Sequence, residues 1–210
     1  MSDIIKSLNW RYATKAYDHS KKISEKDLEE LLEVLRLSPS SFGLQPWKFI
    51  LVENKELREK IKGAAWHQGQ TTEASHLLVI CAKEDVSEEY IKNYVKEIAK
   101  VRNISLDSLK GYEDMMLGWR KGKTKEETKE WSKKQAYIAL GMLLESAALK
   151  RIDATPMEGF DPKAVDQILE LHKEGLTSAA LCALGYRSEN YKTASLAKVR
   201  HSISEVIERR

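Results

Sequence analysis

The stretch Ser38-Pro39-Ser40-Ser41-Phe42-Gly43-Leu44-Gln45-Pro46-Trp47 leads directly into an apolar run, and the rest of the chain can be arranged around it. Two prolines bracket small hydroxyl residues and a glycine. This composition is typical of a rigid loop whose backbone can approach a ligand closely. A plain helix-to-strand connection is an equally good interpretation. The run 47–52 that follows predicts a strand.

A helix is predicted immediately before this loop. Ser24 can cap it, Asp27 completes a box-like pattern, and the helix should end before Ser38-Pro39, because a residue that precedes proline disfavours the α region. Further helices are predicted over 55–64, over about 87–120 with a break near 103–105, after Thr124 with its box partner Glu127, and over 164–171. Further strands are predicted over 77–82, 152–157 and 178–184.

These elements predict an α+β protein in which helices outnumber strands, folded as one domain over residues 1–210. The second half of the long helix, 136–148, is nearly all apolar, which places it in a core or an interface. The chain contains neither GxGxxG nor GxxxxGK[ST], so no dinucleotide or P-loop motif is indicated.

The bulk composition excludes several classes of partner. The 35 basic and 32 acidic residues give a net charge of only +3, which does not indicate nucleic acid. No signal peptide and no membrane-spanning run is apparent, so we expect a cytoplasmic protein without a membrane partner. Cys81 and Cys182 lie in apolar runs and are interpreted as buried thiols, with a disulfide as the minor alternative. Metal binding has almost no support.

Three short segments could carry chemistry. Arg11 and Lys15, four residues apart, could converge on one phosphate, although such a pair is usually solvated surface. The stretch 156–160, PMEGF, places a glutamate beside a glycine in a probable turn, where a plain loop is the common interpretation. Lys198 and Arg200 would ordinarily be read as a solvated tail.

Taken together, RxxTK, SPSSFGLQPW, EASHLLV, PMEGF and KxR in this order resemble the nitroreductase family of FMN flavoproteins. The resemblance runs from about residue 4 to residue 200 and is loosest over 85–125, a variable helical excursion near the expected active site. It implies a nitroreductase-like fold, with a central, mainly antiparallel sheet surrounded by helices. It also implies an intertwined homodimer with FMN at the subunit interface.

The resemblance assigns cofactor contacts to four parts of the chain. Arg11 and Lys15 would hold the phosphate and ribityl end, together with Lys198 and Arg200, and Tyr12 and Ala13 would also be cofactor contacts. Pro39, Ser40, Ser41 and Gly43 would come from the partner subunit. Pro156, Met157, Glu158 and Gly159 would lie at the flavin ring, with the backbone amides of Glu158 and Gly159 toward its N5 and O4 edge. His67 or Gln70, with Gln68 as a neighbour, would contact the pyrimidine end. Ala13 and His67 depart from the serine and asparagine that relatives often have there.

The implied activity is hydride transfer from NAD(P)H through flavin N5 to a nitroaromatic, quinone or related acceptor, in a ping-pong sequence without an identified catalytic side chain. Dihydropteridine or flavin reduction and a non-enzymatic FMN-binding redox module are the alternatives. Charge composition alone would also permit a helical nucleic-acid or scaffold protein. Four side chains of the variable region could line the substrate pocket or simply pack between helices: Met115, Met116, Leu117 and Trp119.

Overall fold

One antiparallel sheet of four strands organises the chain, and the computed structural model describes all of residues 1–210. The strands are β1 (Trp47–Leu51), β2 (His76–Lys83), β3 (Asp153–Met157) and β4 (Leu176–Gly185). Their spatial order is β1-β2-β4-β3, so β1 and β3 are the two edges. The expected α+β class with an antiparallel sheet is confirmed.

Nine α-helical segments surround this sheet. They are α1 (Asp3–Trp10), α2 (Glu25–Leu37), α3 (Lys55–Ala64), α4 (Gln70–Glu73), α5 (Glu88–Arg102), α6 (Lys110–Lys121), α7 (Lys125–Leu149), α8 (Pro162–Ile168) and α9 (Ile203–Val206). None of them combines the length and the apolar character needed to cross a membrane.

Capping side chains set the helix ends that the sequence predicts. The Ser24 hydroxyl accepts a hydrogen bond from the Asp27 amide at 3.1 Å, and α2 stops one residue before Ser38. Thr124 and Glu127 form a reciprocal capping box: the Thr124 hydroxyl accepts from the Glu127 amide, and the Glu127 carboxylate accepts from the Thr124 amide.

Two boundaries of helices depend on backbone conformation. The predicted break near 103–105 occurs because Asn103 adopts a left-handed φ of 53° and ends α5. The helix predicted over 164–171 instead spans Pro162–Ile168. It begins earlier because Asp161 caps it with proline in the first turn, and it ends before Glu170, whose φ is 55°.

Strand β2 is buried on both faces, as predicted, and separates two apolar clusters. Leu78 and Ile80 face α2 and α7, whereas Leu77 and Val79 face α3 and α8. Helix α7 contributes Ala139, Leu140 and Leu143, among others, to the first cluster. Its opposite face stays exposed, so only one side of this apolar helix belongs to the core.

Both cysteines are buried free thiols, as the sequence indicates. Burial raises the pKa of each thiol to about 12. In the pairing of β2 with β4, Cys81 lies opposite Ser178, whereas Cys182 lies opposite Leu78. The two cysteines are therefore not cross-strand partners.

Candidate functional site

A basic cavity of about 520 Å³ lies between residues 9–13 and residues 193–200. It is lined by Arg11, Lys198 and Arg200, and no carboxylate lies among its lining residues. The structure therefore brings together three cations from both ends of the chain. Tyr12 and Ala13 also line the cavity, whereas Lys15 is exposed and lies outside the lining.

The three cations are held near one another without an anionic partner. Burial, followed by the positive charge of Arg200, lowers the pKa of Arg11, and its buried Nε has no acceptor in the protein. Burial, followed by the charges of Arg11 and Arg200, lowers the pKa of Lys198. Lys198 Nζ donates to the carbonyls of Leu8, at 2.9 Å, and Arg11. Clustered cations with an unsatisfied donor form a site suited to an anion such as phosphate.

The cavity depends on an ion pair that the sequence did not indicate. Arg187 donates from Nε and Nη2 to the carboxylate of Asp153, the first residue of β3, at 2.9 and 2.5 Å. The same guanidinium lies 4.3 Å from the centre of the Trp10 ring and donates to the Trp10 carbonyl. These contacts fasten the end of α1 and the start of the C-terminal segment to the same strand.

A second, smaller cavity of about 410 Å³ lies at the other end of β3, beside Pro156 and Glu158. Its remaining lining comes from Tyr137, Leu140, Gly141, Leu144 and Ala180. The backbone amides of Glu158 and Gly159 donate to no acceptor in the protein. Unpaired amides at a cavity are suited to a ligand that carries acceptor atoms. Met157, by contrast, has its side chain in the core.

Tyr137 is a residue of this cavity that the sequence analysis missed. Its hydroxyl lies 2.5 Å from Glu158 Oε1 and 3.1 Å from the Ala179 carbonyl. The available signal was a tyrosine on the otherwise apolar half of α7, at a position now seen to be partly exposed. Burial, followed by the hydrogen bond and the charge of Glu158, raises the pKa of Tyr137.

Among the three polar residues proposed for the ring, Gln68 contacts the turn after β3. Its Nε2 donates to the Gly159 carbonyl at 2.6 Å, while His67 is exposed and Gln70 is buried at 4% exposure. Trp66, also missed, packs on the turn: a Cβ added to Gly159 would lie 3.0 Å from its ring. Trp66 is nevertheless 70% exposed.

The loop before β1 is held by side chains of distant helices. Tyr90 donates to the carbonyls of Leu44 and Gln45, and Tyr112 donates to that of Phe42 at 2.8 Å. On the other side, the Ser41 amide donates to Gln135 Oε1 at 2.9 Å. This loop is thus fixed by side chains of α5, α6 and α7.

The same loop does not meet the turn after β3 within one chain. β1 and β3 are opposite edges of the sheet, and two strands lie between them. Pro39, Ser40, Ser41 and Gly43 line neither cavity. The residues that the resemblance assigns to one flavin are therefore divided, within one chain, between the basic cavity, the turn after β3 and the loop before β1.

The four side chains considered for a substrate pocket mostly pack between helices. Met116 is fully buried beside Leu44, and Leu117 packs against the same cluster. Trp119 lies 5.6 Å from Phe42 and 4.5 Å from Trp131, measured between ring centres. Met115 is 59% exposed, and none of the four lines either cavity.

Comparisons with known proteins identify the family and the fold. The model described as the nitroreductase family matches residues 8–186. A relative from Staphylococcus saprophyticus, named "Putative NAD(P)H nitroreductase", is 37% identical over 98% of this chain and 95% of its own length. The solved structure of a protein from Bacillus subtilis described as a "putative nitroreductase" superposes with a TM-score of 0.87 at 21% identity, covering 99% of both chains. One from Exiguobacterium sibiricum, solved in complex with FMN, gives 0.82 at 18% identity and covers 100% of this chain and 98% of its own.

Proposed function

The chain belongs to the nitroreductase family, and on that premise we propose that it is an FMN-dependent oxidoreductase. It passes two electrons from NAD(P)H to a nitroaromatic, a quinone or a related small acceptor. FMN, when bound, would supply the two-electron chemistry at its N5 position and serve donor and acceptor in turn. The observation that carries the proposal is the carboxylate-free cluster of Arg11, Lys198 and Arg200, in which the buried Arg11 Nε lacks an acceptor.

The basic cavity fits the phosphate end of FMN. A phosphate dianion needs more than one positive partner when it leaves water, and each charge-assisted hydrogen bond to it is worth more than a neutral one. Arg11 would supply Nε, and Arg200 a guanidinium whose only hydrogen bond in the protein is to the neighbouring Val199 carbonyl. Lys198 would add a point charge, while its bonds to backbone carbonyls fix its place.

The turn after β3 fits the ring end. The free amides of Glu158 and Gly159 would donate to acceptor atoms at the ring edge, and Leu140 and Leu144 would exclude water from that side. This cavity lies at the end of β3, and the Arg187–Asp153 ion pair beside the basic cavity lies at its start. An elongated ligand could therefore lie along this edge strand, with one end in each cavity. No carboxyl or imidazole group is needed for the electron transfer itself, and Glu158 acts here through its backbone.

We further propose a homodimer that completes the site. The loop with Ser40 and Ser41 lies on the opposite edge of the sheet, so a second chain would have to supply it. Large exposed apolar side chains on α1, on the outer face of α7 and along the C-terminal segment offer a surface to bury. They are Ile4, Ile5, Leu8, Ile138, Met142, Leu196, Val199, Ile203, Val206 and Ile207.

Anaerobic reduction tests the enzymatic claim. Protein reconstituted with FMN should lose its visible flavin absorption when NADH or NADPH is added, and should regain it when a quinone or nitroaromatic follows. Flavin that stays oxidised with both donors would contradict the proposal and would favour the alternative, a non-enzymatic FMN-binding module. Sedimentation tests the assembly: a mass near 24.0 kDa at micromolar concentration, that of one chain, would contradict the shared site.

A further inference from the structure

A β-bulge lies beside the smaller cavity. The pairing of β2 with β4 shifts between Ile80↔Ala180 and Cys81↔Ser178, so that Ala179 has no partner residue. Bulges of this kind re-aim groups near functional sites. Here the Ala179 carbonyl lies 3.1 Å from the Tyr137 hydroxyl, which also lies 2.5 Å from Glu158 Oε1.

The hydroxyl of Tyr137 carries one hydrogen and faces two acceptors. The shorter contact is to the carboxylate, and a separation of 2.5 Å is typical of a charge-assisted bond from a hydroxyl to an ionised oxygen. The bulge carbonyl offers a second acceptor on the same side. Tyr137 therefore connects three elements that are far apart in sequence: α7, the turn after β3, and β4.

Most polar groups of the turn other than its two free amides have a partner. The Glu158 carbonyl accepts from the Phe160 amide at 2.9 Å, and the Gly159 carbonyl accepts from Gln68. The Glu158 carboxylate accepts from Tyr137. The amides of Glu158 and Gly159 have no partner in the protein, and they follow an edge strand that ends at Met157.

We propose that Tyr137 is a positioning residue for these two amides. Its hydroxyl ties the Glu158 side chain to the bulge of β4, so the turn cannot rotate and its amides keep one orientation toward the cavity. The carboxylate is thereby also kept from folding back over the amides. The ordering belongs to the chain without ligand, and only the identity of the group that the amides meet, the flavin ring, rests on the proposed function.

Hydrogen exchange of the ligand-free protein tests the ordering. Tyr137→Phe should speed exchange of the Phe160 amide, which donates to the Glu158 carbonyl within the turn, several-fold, while Val79 in the centre of β2 exchanges as in the unchanged protein. Glu158→Gln keeps an acceptor for the hydroxyl, so its exchange rate should lie between those of Tyr137→Phe and the unchanged protein. Tyr90→Phe is the matched control, since it removes a hydroxyl that bonds backbone carbonyls of another loop. Equal exchange of the Phe160 amide in Tyr137→Phe and in the unchanged protein would overturn the proposal.

Flavin binding gives a second readout. Tyr137→Phe should weaken FMN and riboflavin by the same factor, about three- to tenfold, because the turn would contact the ring that both share. Weakening of FMN alone would overturn the assignment of Tyr137 to the ring end. If the unchanged protein does not bind FMN, the proposed function fails. The exchange experiment needs no ligand and still decides the role of Tyr137.

Discussion

Arg187 and Asp153 form an ion pair in which the carboxylate is almost fully buried, at 2% exposure, and receives both side-chain donors and the backbone amide of the arginine. The pair joins the start of β3 to the segment that leads toward Lys198 and Arg200. Because the same guanidinium rests on Trp10, it also places the end of α1. The basic cavity is thus assembled by two residues that do not line it.

Removing one partner of this pair should be costly. Asp153→Ala leaves the guanidinium of Arg187 largely buried without a counter-charge, and the loss of one partner of a buried pair typically costs about 3–5 kcal/mol. Urea unfolding should show this loss, together with weaker FMN binding. Glu33→Ala removes an exposed pair with Arg36 and is the control. An unchanged unfolding midpoint for Asp153→Ala would show that the pair does not hold the fold.

Gly43 should tolerate no side chain. Its φ is +70°, and a Cβ there would collide with the hydroxyl of Tyr94. Gly43→Ala should destabilise the protein by roughly 1–2 kcal/mol from the left-handed backbone alone, and by more from the collision. Adding Tyr94→Phe should recover the stability lost through the collision, but not the stability lost through the left-handed backbone. If thermal unfolding shows the double variant no more stable than Gly43→Ala, the collision is not the cause.

Stability should fall as the pH falls through about 6.5, in part because of His76. Burial is the main cause that lowers the pKa of His76 below its ordinary 6.5, and the charges of Arg58 and Lys22 add to it. The unfolded chain therefore takes up a proton at a higher pH than the folded protein does, so folding loses free energy below pH 6.5 until the folded pKa is passed. Urea midpoints at about pH 7.5 and about pH 5.5 should differ less for His76→Gln. His201 is exposed, and His201→Gln is the control, which should show the same difference in midpoints as the unchanged protein. The same difference in His76→Gln would contradict this account.

Neither cysteine should react in the folded state. Both side chains are fully buried, and with a pKa of about 12 each thiol is almost entirely protonated near neutral pH. Iodoacetamide should label no cysteine under native conditions and both in urea, as counted by intact mass. Fast native labelling of Cys81 or Cys182 would show that the sheet opens around it.

Most of the helices and strands could be predicted from local signals. Ser24, Thr124 and the Ser38-Pro39 pair act on their own neighbours, so the ends of α2 and the start of α7 could be predicted. The short strands followed from apolar runs. Helix α8 begins at Pro162 rather than at the predicted residue 164, because Asp161 caps it. Asp161 followed by proline is a local signal, so this start could also have been predicted from the sequence.

Contacts between distant segments could not be read in the same way. Tyr137 meets Glu158 only because α7 packs against β3, which the turn follows. Arg187 meets Asp153 only because β3 and β4 pair as neighbours. Arg11, Lys198 and Arg200 came together as the resemblance implied, whereas Lys15 lies apart from them.

The comparison of FMN with riboflavin tests the central claim most directly, since the two ligands differ only in the phosphate. If Arg11, Lys198 and Arg200 hold that phosphate, FMN should bind at least about 100-fold more tightly than riboflavin, the worth of one or two charge-assisted bonds. Arg11→Ala with Lys198→Ala should remove most of this difference and leave riboflavin binding unchanged, whereas Arg209→Ala with Arg210→Ala should have no effect. Equal affinity of the unchanged protein for FMN and riboflavin would contradict the account.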